Sequence, residues 1–352
     1  ALAPGTYDCH FSPPSRYMRR HPSAPFTFLL LLLSVAAIWL TLHARWNPQA
    51  WSAPAGPPGG DLLEIAARVQ IAAEQWSYSK NTYGKIERLG APAGADWSGY
   101  PVPDRITLSL AGLISRFLGV YGAIHALMLL AHLLGAAAFY GSARLLRWHP
   151  ALAAAGALLF SFAVFNQQWS GTLSLGWTFA LPPAVVLFQW IASRSAAPPA
   201  ASVRRLTWLA AGTGFWLGGA NPYLVFVAAQ LLAFALLLQW VRSRALVRLR
   251  AGAVMGAALL VTFGLTHAPE LLARLSDGVF TPMERNYGGS ELYALKPIEL
   301  LLPPTTHRSE ILTSLRSEYS RVTLLKSTEP PGAYLGLIGI TGLGLLIFAM
   351  LR

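Results

Sequence analysis

The stretch 19-RRHPSAPFTFLLLLLSVAAIWLTLH-43 decides the fold. Its core, Phe26 to Leu42, holds no ionisable side chain, and about 17–25 such residues suffice to cross a bilayer. Arg19 and Arg20 precede it, so its start is expected on the cytoplasmic side. A cleaved signal peptide is the other reading of such a segment. No small-x-small site follows at once, and under either reading the residues after His43 lie outside.

Working outward, apolar runs recur to the end of the chain. Further spans are expected at about 118–145, 151–165, 175–191, 206–220, 224–241, 251–267 and 333–351. The third and fifth spans are short. The third ends in Asn166-Gln167-Gln168, as a broken helix lining a cavity would. The fifth closes on Asn221-Pro222-Tyr223. The expected fold is therefore an all-α polytopic membrane protein of about eight transmembrane helices. Two long extracytoplasmic segments carry amphipathic interfacial helices. The divisions are a basic cytoplasmic tail (1–24), a first span (25–43), an outer segment (44–117), a six-span bundle (118–267), a second outer segment (268–332) and a last span (333–352). Both termini are then cytoplasmic.

Charge follows the same layout. The inner segments carry 13 of the 27 Lys and Arg and only one of the 15 acids, Asp8; the outer segments hold the rest in equal numbers. The formal +12 is thus entirely an inner charge. The chain is 54% hydrophobic, 12% charged and of mean hydropathy +0.45, where soluble domains are about 25% charged. The pI near 10.2 does not imply nucleic acid. The Arg clusters are short, each abuts an apolar run, and no nucleic-acid motif accompanies them. They read as topology signals that touch anionic lipid heads. Cys9, the single cysteine, excludes an internal disulfide and a multi-cysteine zinc site.

Nearly every carboxylate is outside, so chemistry is expected there. Residues 61–76 (DLLEIAARVQIAAEQW) have a helical pattern. At about 100° per residue, Asp61, Glu64, Arg68 and Gln75 share a narrow stripe and apolar residues cover the rest. Such a helix should lie along the membrane surface. Ile106–Phe117 is a second amphipathic piece leading into the second span. In the late outer segment Lys296, His307 and Arg308 stand near the Leu-Leu-Leu-Pro-Pro turn, where basic groups could hold a lipid-linked phosphate. His125 and His132, seven apart, share one face of the second span. They read as functional groups or as neutral histidines bonded between helices.

This layout resembles the GT-C superfamily of membrane glycosyltransferases, including its protein-mannosyltransferase-like and YfhO-like bacterial branches. The resemblance rests on the basic-flanked first span, the long outer loop opening with an acid on an amphipathic helix, the Gly99-Tyr100-Pro101 element and the late LLPPTTHR…EPPGAYLGLIGITGLGLLIF pattern. It implies transfer of a sugar from a polyprenyl-phosphate-linked donor to a glycan, lipid or protein acceptor, on the outer face of a bacterial inner (plasma) membrane. It places the catalytic carboxylate in the first outer loop, which best matches Asp61, with Glu64 as helper. Members of the superfamily have more spans and often an outer C-terminal domain, so a chain closing at Arg352 reads as a fragment or a reduced relative.

Such transfer needs a base for the acceptor proton, and cationic groups or a divalent metal ion at the leaving phosphate. Lys296, His307, Arg308 and Arg105 are the phosphate candidates, and Asn166 and Asn221 are candidates for a sugar pocket. His267 and Glu270 hint at a metal pair, but no metal site is assigned. Local readings stand beside these: Asp61 as a helix cap, Glu64 in an ion pair with Arg68, the basic groups as a solvated loop, the amides as helix caps. Two other functions fit the layout. One is a transporter or flippase of lipid-linked glycans, although no Asp, Glu, Lys or Arg falls mid-span and no repeat is evident. The other is a non-catalytic membrane subunit of cell-envelope assembly.

Overall fold

A computed structural model describes residues 24–54, 60–75, 85–88, 92–97, 102, 104–169, 172–173, 175–193, 200–277, 296–305, 307–323 and 334–351. The Gly99-Tyr100-Pro101 element lies outside them. The chain divides into two compact units, residues 1–162 with 169–279, and 163–168 with 280–352.

In the first unit, α1 (Ala24–Leu42) matches the opening apolar run. A 3-10 turn (Pro48–Ser52) follows, capped by the Asn47 side chain. Then come α2 (Gly60–Gln75) and a two-residue antiparallel hairpin of β1 (Lys85–Ile86) and β2 (Ala95–Asp96). Next, α3 (Arg105–Leu145) runs for 41 residues, roughly 60 Å at 1.5 Å per residue. That is twice a hydrocarbon core of about 30 Å. It is two helices joined at Gly119, whose φ of 71° lies in the left-handed region that glycine enters without steric cost. The amphipathic piece and the second span of the sequence reading are these two halves.

The third expected span is interrupted. α4 (Pro150–Ser161) stops after 12 residues, and a separate short helix, α5 (Val164–Trp169), carries the amides. The fourth also shortens, because α6 (Leu181–Ala192) begins only at a Leu-Pro-Pro start. At about 18 Å each, α4 and α6 fall short of the bilayer core. α7 (Ala200–Gly219), α8 (Pro222–Arg242) and α9 (Leu246–Asp277) follow. Among the described residues four helices, α1, α3, α8 and α9, are long and apolar enough to cross a membrane, and the described fold is all-α apart from the small hairpin, of membrane-protein character.

The core of this unit has three buried clusters. One joins α2 to the middle of α3 through Val69, Ala72, Ala111, Leu127 and Trp39. A second packs α6, α7, α8 and α9 around Trp190, Met255 and Leu259. The third sets α1 and α4 against the end of α3 around Val35, Ala136 and Ala157. α7 and α9 approach closely: a Cβ added at Gly214 or Gly218 would stand 2.2 Å from the carbonyl oxygen of Met255 or Leu259. Small residues four apart allow such backbone contact between membrane helices.

The second unit holds residues 164–168 of α5, a 3-10 turn (Pro297–Leu300), α10 (Glu310–Val322) and the apolar α11 (Gly336–Leu351). Leu335 N donates to Leu300 O at 3.1 Å, which ties the foot of α11 to that turn.

Candidate active site at the ends of α3 and α9

The chain enters α3 through Asp104, which caps the helix from a left-handed conformation (φ 58°, ψ 52°). N-caps ordinarily adopt extended geometry, and the left-handed one costs about 1–2 kcal/mol. Strain of this kind concentrates at functional sites. One carboxylate oxygen, Oδ1, accepts from Thr107 N at 3.3 Å and Thr107 Oγ1 at 2.6 Å. The other, Oδ2, is buried and has no hydrogen-bond partner among the described residues.

The next residue reaches across to α9. The Arg105 guanidinium bonds Glu270 Oε1 at 2.5 Å, and Val102 N donates to the same oxygen at 3.2 Å. Glu270 follows Pro269 within α9 and is 4% exposed. Its second oxygen, Oε2, is likewise buried without a partner among the described residues, as is His267 Nε2 one turn earlier. His267 packs its ring on Phe263 with centroids 4.5 Å apart and lies within electrostatic reach of Glu270 and Arg105.

Burial sets the chemistry. Only 3% of Asp104 is exposed. Loss of water raises its carboxyl to about 7, against the lowering effect of the two Thr107 bonds. An acid that titrates near neutrality can take and return a proton at working pH. Buried polar atoms are normally satisfied, so the three bare atoms on Asp104, Glu270 and His267 mark where a polar ligand would find partners.

The other expected site residues sit elsewhere. Asp61 is exposed in the first turn of α2 and bonds no described residue. Glu64 is taken up by Arg68 at 2.6 Å, with Arg68 itself 2% exposed and its guanidinium 5.0 Å from the Trp97 ring centroid. Asn221 caps α8, accepting from Tyr223 N at 3.0 Å. Asn166 is buried in α5. Lys296 caps the 3-10 turn of the second unit. There His307 Nδ1 accepts from Ser309 N at 3.1 Å, and Arg308 is exposed. Of the hinted metal pair, Glu270 is engaged through Oε1 in an ion pair with Arg105. No group of three or more His, Cys, Asp or Glu placed to hold a metal occurs among the described residues. His125 takes the structural role: its Nε2 lies 2.9 Å from Ala53 O and its ring stands edge-on to Trp51. His132 Nδ1 lies 2.8 Å from the Met128 carbonyl of its own helix.

Sequence reading singled out Arg105 and Glu270 separately and passed over Asp104. The available signal was opposite charges at two outer span ends, but 165 residues separate the partners. Compared with known proteins, the chain matches no family model, no curated protein and no solved structure.

Proposed function

We propose that this chain is an integral membrane glycosyltransferase. It moves a sugar from a polyprenyl-phosphate donor to an acceptor hydroxyl at the outer face, with eight apolar segments embedded and the N-terminus cytoplasmic. The observation that supports the reading is Asp104, a buried acid titrating near neutrality beside a cation at the entry to α3. In this scheme Asp104 Oδ2 removes the acceptor proton. The acceptor oxygen bonds the anomeric carbon, the bond from that carbon to the phosphate oxygen breaks, and polyprenyl phosphate leaves. Arg105, oriented by Glu270, lends positive charge to the departing phosphate. Asp104 takes the base role in preference to Asp61, because an exposed side chain neither excludes water nor holds a fixed geometry.

The test is transfer of labelled sugar from polyprenyl-phosphate donors by the purified protein in lipid nanodiscs. Asp104→Asn should lower turnover by about 10²–10⁴-fold, the usual worth of a general base, while Asp61→Asn stays close to wild type. The converse pattern returns the role to Asp61. No transfer by the wild type with any such donor sinks the proposal.

A further inference from the structure

None of the residues of α10 is buried. Ile311, Leu315 and Val322 are 75%, 53% and 62% exposed. At about 100° per residue these three share one face with Tyr319. Thr313, Ser317 and Ser320 lie opposite. A helix patterned this way ordinarily buries its stripe against a core, and no described residue covers that of α10 enough to bury it.

Its place in the second unit says what covers that face. α11 holds no ionisable residue, and Leu337, Ile338 and Leu345 on it are 71%, 69% and 64% exposed. Such a surface needs hydrocarbon around it. The foot of α11 is joined to the turn before α10: Leu335 N bonds Leu300 O, and the His307 and Tyr334 rings meet edge to face at 6.4 Å. Where α11 leaves the hydrocarbon, this turn stands at headgroup level. α10 begins three residues after His307, its first turn fixed by Thr313 Oγ1 bonding His307 O at 2.9 Å and Ser309 O at 3.1 Å. Charge agrees. Glu318 is neutralised by Arg321 at 2.5 Å, which leaves Arg308, Glu310 and Arg316 as the other charges on and beside α10 among the described residues.

We propose that α10 is a membrane-surface helix whose apolar face, Ile311, Leu315, Tyr319 and Val322, is covered by lipid, with Arg308 and Arg316 at the phospholipid phosphates. Helices of this kind sink about 5–10 Å into the boundary between headgroups and acyl chains. The inference rests on membrane embedding and not on sugar transfer, so an inactive protein leaves it testable.

The experiment uses the full chain in a Cys9→Ser background, in nanodiscs of phosphatidylcholine and phosphatidylglycerol. Leu315→Cys and Ser317→Cys carry an environment-sensitive fluorophore, and spin-labelled phospholipid is the quencher. The probe at 315 should be blue-shifted and quenched several-fold more strongly than that at 317. Val322→Cys and Ser320→Cys repeat the comparison should the first pair fold poorly. Equal water exposure on both faces overturns the proposal. So does a blue-shifted probe at 315 that lipid cannot quench, because protein then covers the face.

Discussion

Replacing Gly218 with Ala should destabilise this protein although alanine is the better helix former. The added Cβ would stand 2.2 Å from the Leu259 carbonyl oxygen, and also 2.9 Å from its carbonyl carbon, where ordinary contact begins at 3.4 Å. The obstacle is backbone, so no rotamer change relieves it, and α7 and α9 must part by about 1 Å. Overpacking of this kind costs about 1–3 kcal/mol. A gap of 0.5–1 Å also forfeits roughly a quarter to a half of each dispersion contact along the seam. Against this, Ala gains at most about 1 kcal/mol of helix propensity. Gly214→Ala, 2.2 Å from Met255 O, should behave alike. Gly212 is on the same helix with nothing within 4 Å of its added Cβ, so Gly212→Ala should be neutral or stabilising. The assay is unfolding in detergent followed by tryptophan fluorescence, with Trp216 between the two glycines as a reporter. Equal stability of Gly218→Ala and Gly212→Ala would refute the close contact between α7 and α9.

Two other outcomes follow from the candidate site. Arg105 and Glu270 are 14% and 5% exposed at their side chains, and removing one partner of such a buried pair costs about 3–5 kcal/mol. Glu270→Ala and Arg105→Ala should each destabilise the fold, with the double variant well short of their sum in a thermal-unfolding cycle; simple additivity would dismiss the pairing. Asp104 is raised to about 7 from 3.8 by burial, so the folded state holds its proton more tightly. Its contribution is fully present below pH 4 and is lost as pH rises through 7, a change on the order of 4 kcal/mol. Asp104→Asn should therefore abolish this loss of stability between pH 4 and 7, and an unaltered pH profile would remove the buried acid from the account.

The helices themselves were largely legible. The apolar run after Arg20 became α1. The pattern opening at Asp61 became α2, and Asn221-Pro222, read as the close of the fifth span, starts α8 because amide cap and proline act through neighbouring backbone alone. Glu64 and Arg68 met as an i,i+4 pair for the same local reason. Length misled where local breaks intervened. The third and fourth apolar runs each gave a 12-residue helix, stopped at Phe162 in one case and delayed to Leu181 by the Leu-Pro-Pro start in the other.

The site was legible only in pieces. Asp61 stood out because helical periodicity is a property of adjacent residues, yet burial decides which acid holds a proton near neutrality. Asp104 lies 3% exposed at the entry to α3, next to Arg105, which reaches Glu270 on α9. By itself the sequence determined a chain of apolar helices, their caps and the placement of acids between them, since those depend on residues within a turn or two. Only the tertiary structure decided which carboxylate loses its water, because desolvation is the work of partners far apart along the chain.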